Sequence, residues 1–160
     1  MAAAGTFIAD NGDVYVDKKR HLWLVSMMIP AMAVLGPVLY MEYANETFLW
    51  MFIGFWYCLF PVFDYFFGED TSNPPESVVP QLEADPYYRF ITLIQVPIVV
   101  ATFIFCGWFV ANTELSVTGY IAAALTAGYI GGYGLNIGHE LGHKKNKFDQ
   151  WMAKIVLLPI

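Results

Sequence analysis

The chain has 160 residues, enough for one domain, and 58% of them are hydrophobic, 18% aromatic and 14% charged. Soluble domains carry about 25% charged residues, so the composition excludes a water-soluble globular domain and indicates a chain that faces lipid. The net charge of −6 says little about orientation, because acidic residues barely affect membrane topology, and no nucleic-acid partner is expected.

Four apolar runs follow one another along the chain. Each reaches the roughly 20 residues with which a helix crosses a bilayer, and none alternates as the strands of a membrane barrel do. The runs span residues 22–41, 48–67, 90–111 and 118–138. We therefore predict an all-α fold, a polytopic transmembrane helical bundle with four membrane helices.

The two ends of the chain carry different signals. Residues 1–17 lack the charged start, apolar stretch and cleavage site of a signal peptide. The last stretch, "WMAKIVLLPI", is typical of the start of a further apolar helix. We therefore expect residues 1–160 to be the N-terminal part of one longer membrane domain.

The basic residues predict how the helices are oriented. They lie before the first run, at the foot of the third and after the fourth, and the short connections "EYANET" and "ANTELS" contain none. The full set is Lys18, Lys19, Arg20, Arg89, Lys144, Lys145, Lys147 and Lys154. Since basic residues concentrate on the cytoplasmic side, we expect the N-terminus and the segment after the fourth helix to be cytoplasmic.

The loop 68–89 is longer than a turn requires. Its prolines exclude a long helix, and it carries Glu69, Asp70, Glu76, Glu83 and Asp85. A loop of this length either covers the cytoplasmic mouth of the bundle, recruits a partner, or serves as a solvated linker.

The fourth run is rich in small residues. Small residues four apart lie on one face of a helix and let another backbone approach closely in lipid. Two such sets are present: Ala124, Gly128 and Gly132, and Gly134 and Gly138. The face that carries Gly128 and Gly132 continues to Asn136, His139 and His143. It therefore changes from small to polar to imidazole as it leaves the membrane.

His139 and His143 are the candidate metal ligands. Side chains four apart on a helix lie about 5–6 Å from each other, so two imidazoles can share one ion or hold adjacent ions. A firmly bound metal needs further ligands. Cys58 and Cys106 fall inside membrane runs and are expected to be free thiols, so we expect the missing ligands outside this sequence or on another subunit.

Three functions compete on these residues alone. "HELGH" matches His-Glu-x-x-His, in which both histidines hold zinc and Glu140 is the general base of a protease. A histidine-rich non-haem iron oxygenase uses the same pair, although the Glu-x-x-His pattern of soluble di-iron proteins is absent. A non-catalytic membrane or metal-transport module is the third reading.

Longer stretches carry a family resemblance. "YVDKKRHLWLVS", "FDYFFGEDTSNPPESVVPQLEADPYYR" and "LNIGHELGHKKNKFDQWMAKIVL", with the order of the helices between them, resemble the bacterial transmembrane alkane monooxygenases of the membrane desaturase and hydroxylase superfamily. The resemblance covers nearly the whole chain. It favours the oxygenase over the protease.

The resemblance implies two non-haem irons held by histidine boxes on the cytoplasmic side of the inner membrane. His139 and His143 correspond to the first box, and the other two boxes are absent from this sequence. It also implies hydroxylation of the terminal methyl group of an alkane with O₂, and electrons from rubredoxin, a small acidic iron–sulfur protein. The 160 residues alone are therefore expected to be inactive.

An alkane has no polar handle, so its site must be an apolar channel. A broad face of the second helix offers one wall, formed by Ile53, Trp56, Tyr57 and Phe60, with Trp56 limiting the depth; ordinary aromatic packing is the alternative. Asp64 lies in the same segment, where a charge usually has a function. We expect Asp64, Asn136 and Glu140 to support the ligands from outside, Asp64 by pairing with a histidine or a lysine.

The lysines that follow the histidine pair are candidates for docking the electron donor. Lys144, Lys145 and Lys147 lie on the side where a soluble protein arrives, and opposite charge often steers such weak encounters. Lysines that flank a membrane helix also anchor its topology, so both readings stay open.

Overall fold

The computed structural model describes residues 5–68 and 73–160, and most of them are helical. Glu69 and Asp70, two of the acidic loop residues, lie outside the described residues. The helical character predicted from the apolar runs is confirmed.

A small β-hairpin precedes the helices. Strand β1 (Thr6–Ile8) pairs antiparallel with β2 (Val14–Val16). The turn contains Gly12 at φ +87°, and the Asn11 side chain accepts a hydrogen bond from the Asp13 N–H (3.0 Å). A short polar stretch with Asn-Gly between two apolar segments is consistent with a hairpin loop, and the all-α prediction overlooked it.

The first apolar run is broken rather than straight. A 3₁₀ helix (Arg20–Met27) leads into α1 (Met28–Met32), and α2 (Leu35–Tyr43) follows after a bend of 45°. Pro37 has no N–H to donate to the carbonyl of the preceding turn, so the helical ladder is interrupted near the bend.

The second run forms one continuous but irregular helix, Glu46–Phe67. It contains a 3₁₀ turn, an α-turn, a π-turn and a final α-helix, which are Glu46–Trp50, Met51–Gly54 (α3), Phe55–Leu59 and Phe60–Phe67 (α4). The N–H of Phe60 bonds to the carbonyl of Phe55, five residues back. Pro61 follows directly, and its missing N–H leaves room for such a π-bulge.

Short helices follow in the loop, and three longer helices follow the loop. The loop contains a 3₁₀ turn (Glu76–Val78) and α5 (Val79–Ala84), and the longer helices are α6 (Pro86–Ala111), α7 (Val117–Gly142) and α8 (Lys147–Leu157). Each long helix has a side-chain N-cap, Asp85, Ser116 and Asn146 respectively. Such caps satisfy the free N–H groups of the first turn.

The apolarity of these helices supports fewer crossings than predicted. Among the described residues, Glu46–Phe67 and Pro86–Ala111 are long and apolar enough to span a membrane, and Arg20–Met32 with Leu35–Tyr43 qualifies as a bent third span. Helix α7 is long enough but is not among them, and its many glycines and tyrosines dilute its apolar character. The predicted four membrane helices are therefore not confirmed.

Helix α8 folds back along α7 through close glycine contacts. A Cβ on Gly134 would lie 2.7 Å from Ile160 Cδ1, and one on Gly138 would lie 2.9 Å from Leu157 Cδ2. The predicted close approach is thus confirmed at Gly134 and Gly138, where the end of α8 and the residues after it pack against α7. Gly128 and Gly132 have no such neighbour within 4 Å, so the face that leads to the histidines stays open.

The described part of the long loop packs against the hairpin. Val78 forms a small core with Phe7 and Ala9, and Asp85 pairs with Arg20 at 2.7 Å. The hydrogen bond from Arg20 holds the pKa of the Asp85 carboxyl below its usual value. From Asn73 onward the loop is therefore anchored to the hairpin at Val78 and to Arg20 at Asp85, although most of its residues are exposed.

The Glu46 carboxylate joins the second helix to the N-terminal end of α7. Glu46 Oε1 accepts a hydrogen bond from the backbone N–H of Ser116 at 2.6 Å, and its second oxygen contacts the Ser116 hydroxyl. An acidic group at a helix N-terminus is stabilising because the free N–H groups point toward it. Glu46 therefore fixes the start of the second helix against the start of α7.

Candidate metal centre and apolar cavity

The two histidines meet at the C-terminal end of α7. His139 lies in the last turn and His143 is the C-cap residue. Their Nε2 atoms are 3.1 Å apart, the ring centroids are 4.5 Å apart, and both side chains are exposed. The predicted convergence of the two imidazoles is therefore present in the structure.

This separation fits two nitrogens bound to one ion. Metal–nitrogen bonds of roughly 2.0–2.1 Å at tetrahedral to octahedral angles place two ligand nitrogens about 2.8–3.4 Å apart. Without an ion, one ring N–H can donate to the lone pair of the other ring at this distance. The donor set therefore fits a metal bound by imidazole.

The described residues supply two such ligands and no more. No group of three or more His, Cys, Asp or Glu side chains in residues 5–68 and 73–160 is placed to hold a metal ion. Cys58 and Cys106 are free thiols, as predicted. A complete metal centre would need further ligands besides these two histidines.

Lys144 has an intramolecular role that its place in a lysine cluster did not indicate. Its Nζ lies 2.6 Å from Glu140 Oε1 and 4.0 Å from Glu83 Oε2 of the loop. The hydrogen bond to Glu140 raises the pKa of the Lys144 ammonium. Lys144 is thus engaged within the molecule, whereas Lys145 and Lys147 are exposed.

Two of the predicted supporting residues, among those that the structure describes, form no hydrogen bond or ion pair with the histidines. Asn136 and Asp64 are both exposed, and no hydrogen bond or ion pair joins either side chain to a residue that the structure describes. The expected pairing of Asp64 with a histidine or a lysine is therefore not present among these residues. Glu140 is held by Lys144 instead.

The predicted aromatic wall divides into two pairs. Ile53 and Trp56 pack against the main core, while Tyr57 and Phe60 are 65% and 46% exposed. The Trp56 ring stacks on Tyr129 of α7 with centroids 5.5 Å apart and an interplanar angle of 25°. Trp56 Nε1 is buried, and among the described residues it has no hydrogen-bond partner.

An apolar cavity of about 570 Å³ lies beyond this stack. The first helical segment, the second helix (Glu46–Phe67), α6 and α7 all contribute to its walls. The lining residues include Gly36, Leu49, Phe52, Thr102, Thr126 and Ile130. Phe52 contacts both Trp56 and Tyr129 (6.3 and 5.2 Å between centroids), so the stack borders the cavity. This cavity could not be foreseen from the small residues that line it, because such residues also mark close packing: a Cβ on Gly36 would lie 2.7 Å from the Phe48 carbonyl oxygen.

A polar network inside the bundle was also missed. The Tyr133 hydroxyl donates to the Ser26 carbonyl at 2.8 Å and contacts the Gln95 side-chain oxygen, while Gln95 Nε2 donates to the Ile91 carbonyl at 3.0 Å. Buried polar groups are stable when they are hydrogen-bonded in this way. The network joins the first helical segment to α6 and α7, about 9 Å before His139 along the helix, at ~1.5 Å per residue.

Comparisons with known proteins give one consistent result. No protein-family profile matches the chain. "Alkane 1-monooxygenase 1" of Alcanivorax borkumensis is 47% identical over 149 residues, covering 93% of this chain and 37% of that protein. "Alkane 1-monooxygenase" of Ectopseudomonas oleovorans is 46% identical and that of Pseudomonas putida is 45% identical, each over 154 residues, 94% of this chain and 37% of the relative. The chain therefore spans little more than a third of the length of these curated relatives.

Proposed function

This chain is a homologue of the alkane 1-monooxygenases, matching an N-terminal portion of them, and we propose that the whole protein hydroxylates the terminal methyl group of medium- to long-chain alkanes with O₂. The observation that carries the proposal is the pair of histidine nitrogens 3.1 Å apart at the end of α7. An imidazole pair of this geometry is suited to binding a transition metal.

His139 and His143 would hold part of a non-haem di-iron centre, and residues elsewhere in the whole protein would provide the other ligands. When bound, the irons would supply the activation of O₂. The zinc-protease alternative requires Glu140 as a free general base. Its carboxylate is instead bound by Lys144 at 2.6 Å, which suits a supporting role for Glu140.

The apolar cavity supports an alkane as the substrate. Its volume of about 570 Å³ lies within the roughly 300–1,000 Å³ of ordinary ligand sites, and its walls are largely aliphatic and aromatic. An alkane with its terminal methyl at the histidines would extend along α7 toward the Trp56–Tyr129 stack, and the cavity beyond the stack would take the far end of a chain that passes it. The distance from Tyr129 to His139 along the helix is about 15 Å, at 1.5 Å per residue.

We place the histidines on the cytoplasmic side of a bacterial inner membrane. Lys144 and Glu83 link the end of α7 to the loop, and Asp85 links the same loop to Arg20 at the start of the first segment. The clusters Lys18–Arg20 and Lys144–Lys147 therefore lie at one end of the bundle. Positive charge at one end supports that end as the cytoplasmic one.

Metal analysis of the purified full-length protein tests the proposal. We expect about two irons per polypeptide, because the proposed centre contains two irons. We also expect O₂-dependent formation of a primary alcohol from an alkane. The measurement is elemental analysis together with product identification. One zinc per polypeptide, with no oxidised product, would contradict the proposal.

The electron donor is proposed to be rubredoxin, docking at Lys145 and Lys147. Both are exposed and follow the metal ligand His143. We expect the double reversal Lys145→Glu/Lys147→Glu to lower rubredoxin-dependent turnover several-fold and to flatten its salt dependence, since screening weakens electrostatic steering. The rate is measured against ionic strength with rubredoxin.

The matched control is Lys18→Glu/Lys154→Glu, which changes the net charge equally at two other exposed lysines. It should leave the salt slope unchanged. If both double variants keep the wild-type salt dependence of turnover, Lys145 and Lys147 anchor the helix in the membrane and do not dock the donor.

A further inference from the structure

A buried carboxylate beside the histidine turn is unusually well paired. Asp149 of α8 is 2% exposed, and Arg89 of α6 donates to it from Nη2 (2.8 Å to Oδ1) and from Nε (3.1 Å to Oδ2). Two-point binding of this kind fixes orientation as well as distance. The pair therefore determines where the first turn of α8 sits against α6.

The first turn of α8 is coupled directly to the histidine turn. Three residues separate His143 from the start of α8 at Lys147. Gln150 Nε2 donates to the Lys144 carbonyl at 3.0 Å, and the Asn146 side chain caps α8 by accepting from the Phe148 N–H at 2.8 Å. A shift of Asp149 would therefore move the backbone that follows His143.

The pair also borders the same space as the histidine turn. A cavity of about 170 Å³ has both Arg89 and Asp149 and the histidine-turn residues Glu140, Leu141 and Lys144 in its lining. Leu141, between the two histidines, is buried. The Arg89–Asp149 pair and the helical turn that carries the ligands thus form one packed unit.

We propose that Arg89 and Asp149 are positioning residues for the metal centre, because they hold α8 so that His143 stays beside His139. This inference rests on the proposed function, since it assigns the histidines to a metal. Neither residue touches the metal ligands. Their effect passes through the turn 143–147.

The test compares Asp149→Asn with the wild-type full-length protein. Asparagine keeps the shape of aspartate but removes the charge that Arg89 binds. We expect the affinity for Fe²⁺, measured anaerobically by competition with a chelator, to fall about 10-fold, the size of effect typical of residues that orient metal ligands. Arg89→Lys keeps the charge without the two-point geometry and should show a smaller fall.

The control is Glu46→Gln, which weakens the carboxylate contact at the opposite end of α7. It should lower the thermal unfolding temperature while leaving Fe²⁺ affinity within about twofold of wild type, since it lies far from the ligands. If Asp149→Asn does not fold, Arg89→Lys decides the question. The double exchange Arg89→Asp/Asp149→Arg should recover part of the Fe²⁺ affinity that Asp149→Asn loses.

Two results would overturn the inference in different ways. Unchanged Fe²⁺ affinity in both Asp149→Asn and Arg89→Lys, with the same loss of thermal stability as Glu46→Gln, would make the pair an ordinary tertiary contact. A wild-type protein that takes up no iron would overturn the proposed function as well, and that outcome is read from the wild type alone.

Discussion

Replacing His139 or His143 with alanine is expected to abolish iron loading and alkane hydroxylation in the full-length protein. Each change removes one of two nitrogens that lie 3.1 Å apart. A change in a residue that merely orients a ligand costs about 10–100-fold in metal affinity, so the loss of a ligand should exceed that range. Elemental analysis and turnover of an alkane measure the result.

Both histidines are exposed, so their replacement should not disturb the core. Leu141 and Gly138, which pack the same turns, are unchanged in these variants. Membrane insertion and helical content should therefore match the wild type. The matched control is His21→Ala, which removes an exposed histidine from the 3₁₀ helix Arg20–Met27. Full iron content in His139→Ala or His143→Ala would exclude that residue as a ligand.

Some features of the fold could be predicted because they depend on local pattern. The third apolar run was predicted to end at residue 111, and α6 ends at Ala111. The fourth was predicted to begin at residue 118, and α7 begins at Val117. The meeting of His139 and His143 follows from four-residue spacing on one helix. These predictions need no knowledge of what packs nearby.

Other features depend on contacts between distant residues and could not be predicted. Lys144 lies four residues after Glu140, so that ion pair is a local one that helical spacing predicts, whereas the approach of Glu83 from the loop depends on the fold. Asp149 gave no signal, because its burial depends on Arg89, sixty residues earlier. Long-range pairs of this kind are specified by tertiary packing.

The aromatic face of the second helix could be predicted only in part. Helical spacing placed Ile53, Trp56, Tyr57 and Phe60 on one broad face, but it could not show which of them α7 would cover. The π-turn Phe55–Leu59 rotates this part of the helix, and Tyr129 then covers Trp56. Trp56 therefore faces the interior beside the cavity, whereas Tyr57 is largely exposed.

Replacing Trp56 with serine is expected to extend the range of alkanes toward longer chains. The Trp56–Tyr129 stack lies between the histidine turn and the cavity of about 570 Å³. Removing the indole would open the stack toward the cavity, so a chain longer than the present limit could extend into the cavity with its terminal methyl still beside the histidines. The turnover of a series of n-alkanes of increasing length measures the effect.

The same change carries a cost in stability that must be separated from the change in substrate range. Trp56 is partly buried, so its truncation should cost less than the roughly 3–5 kcal/mol typical of a fully buried tryptophan, and the loss is partly offset because the buried Nε1 has no partner among the described residues. The matched control is Phe63→Ser, which removes an exposed ring from α4, away from the cavity lining. It should leave the chain-length profile unchanged. If Trp56→Ser and Phe63→Ser give the wild-type profile alike, Trp56 is a packing residue and the alkane occupies another part of the bundle.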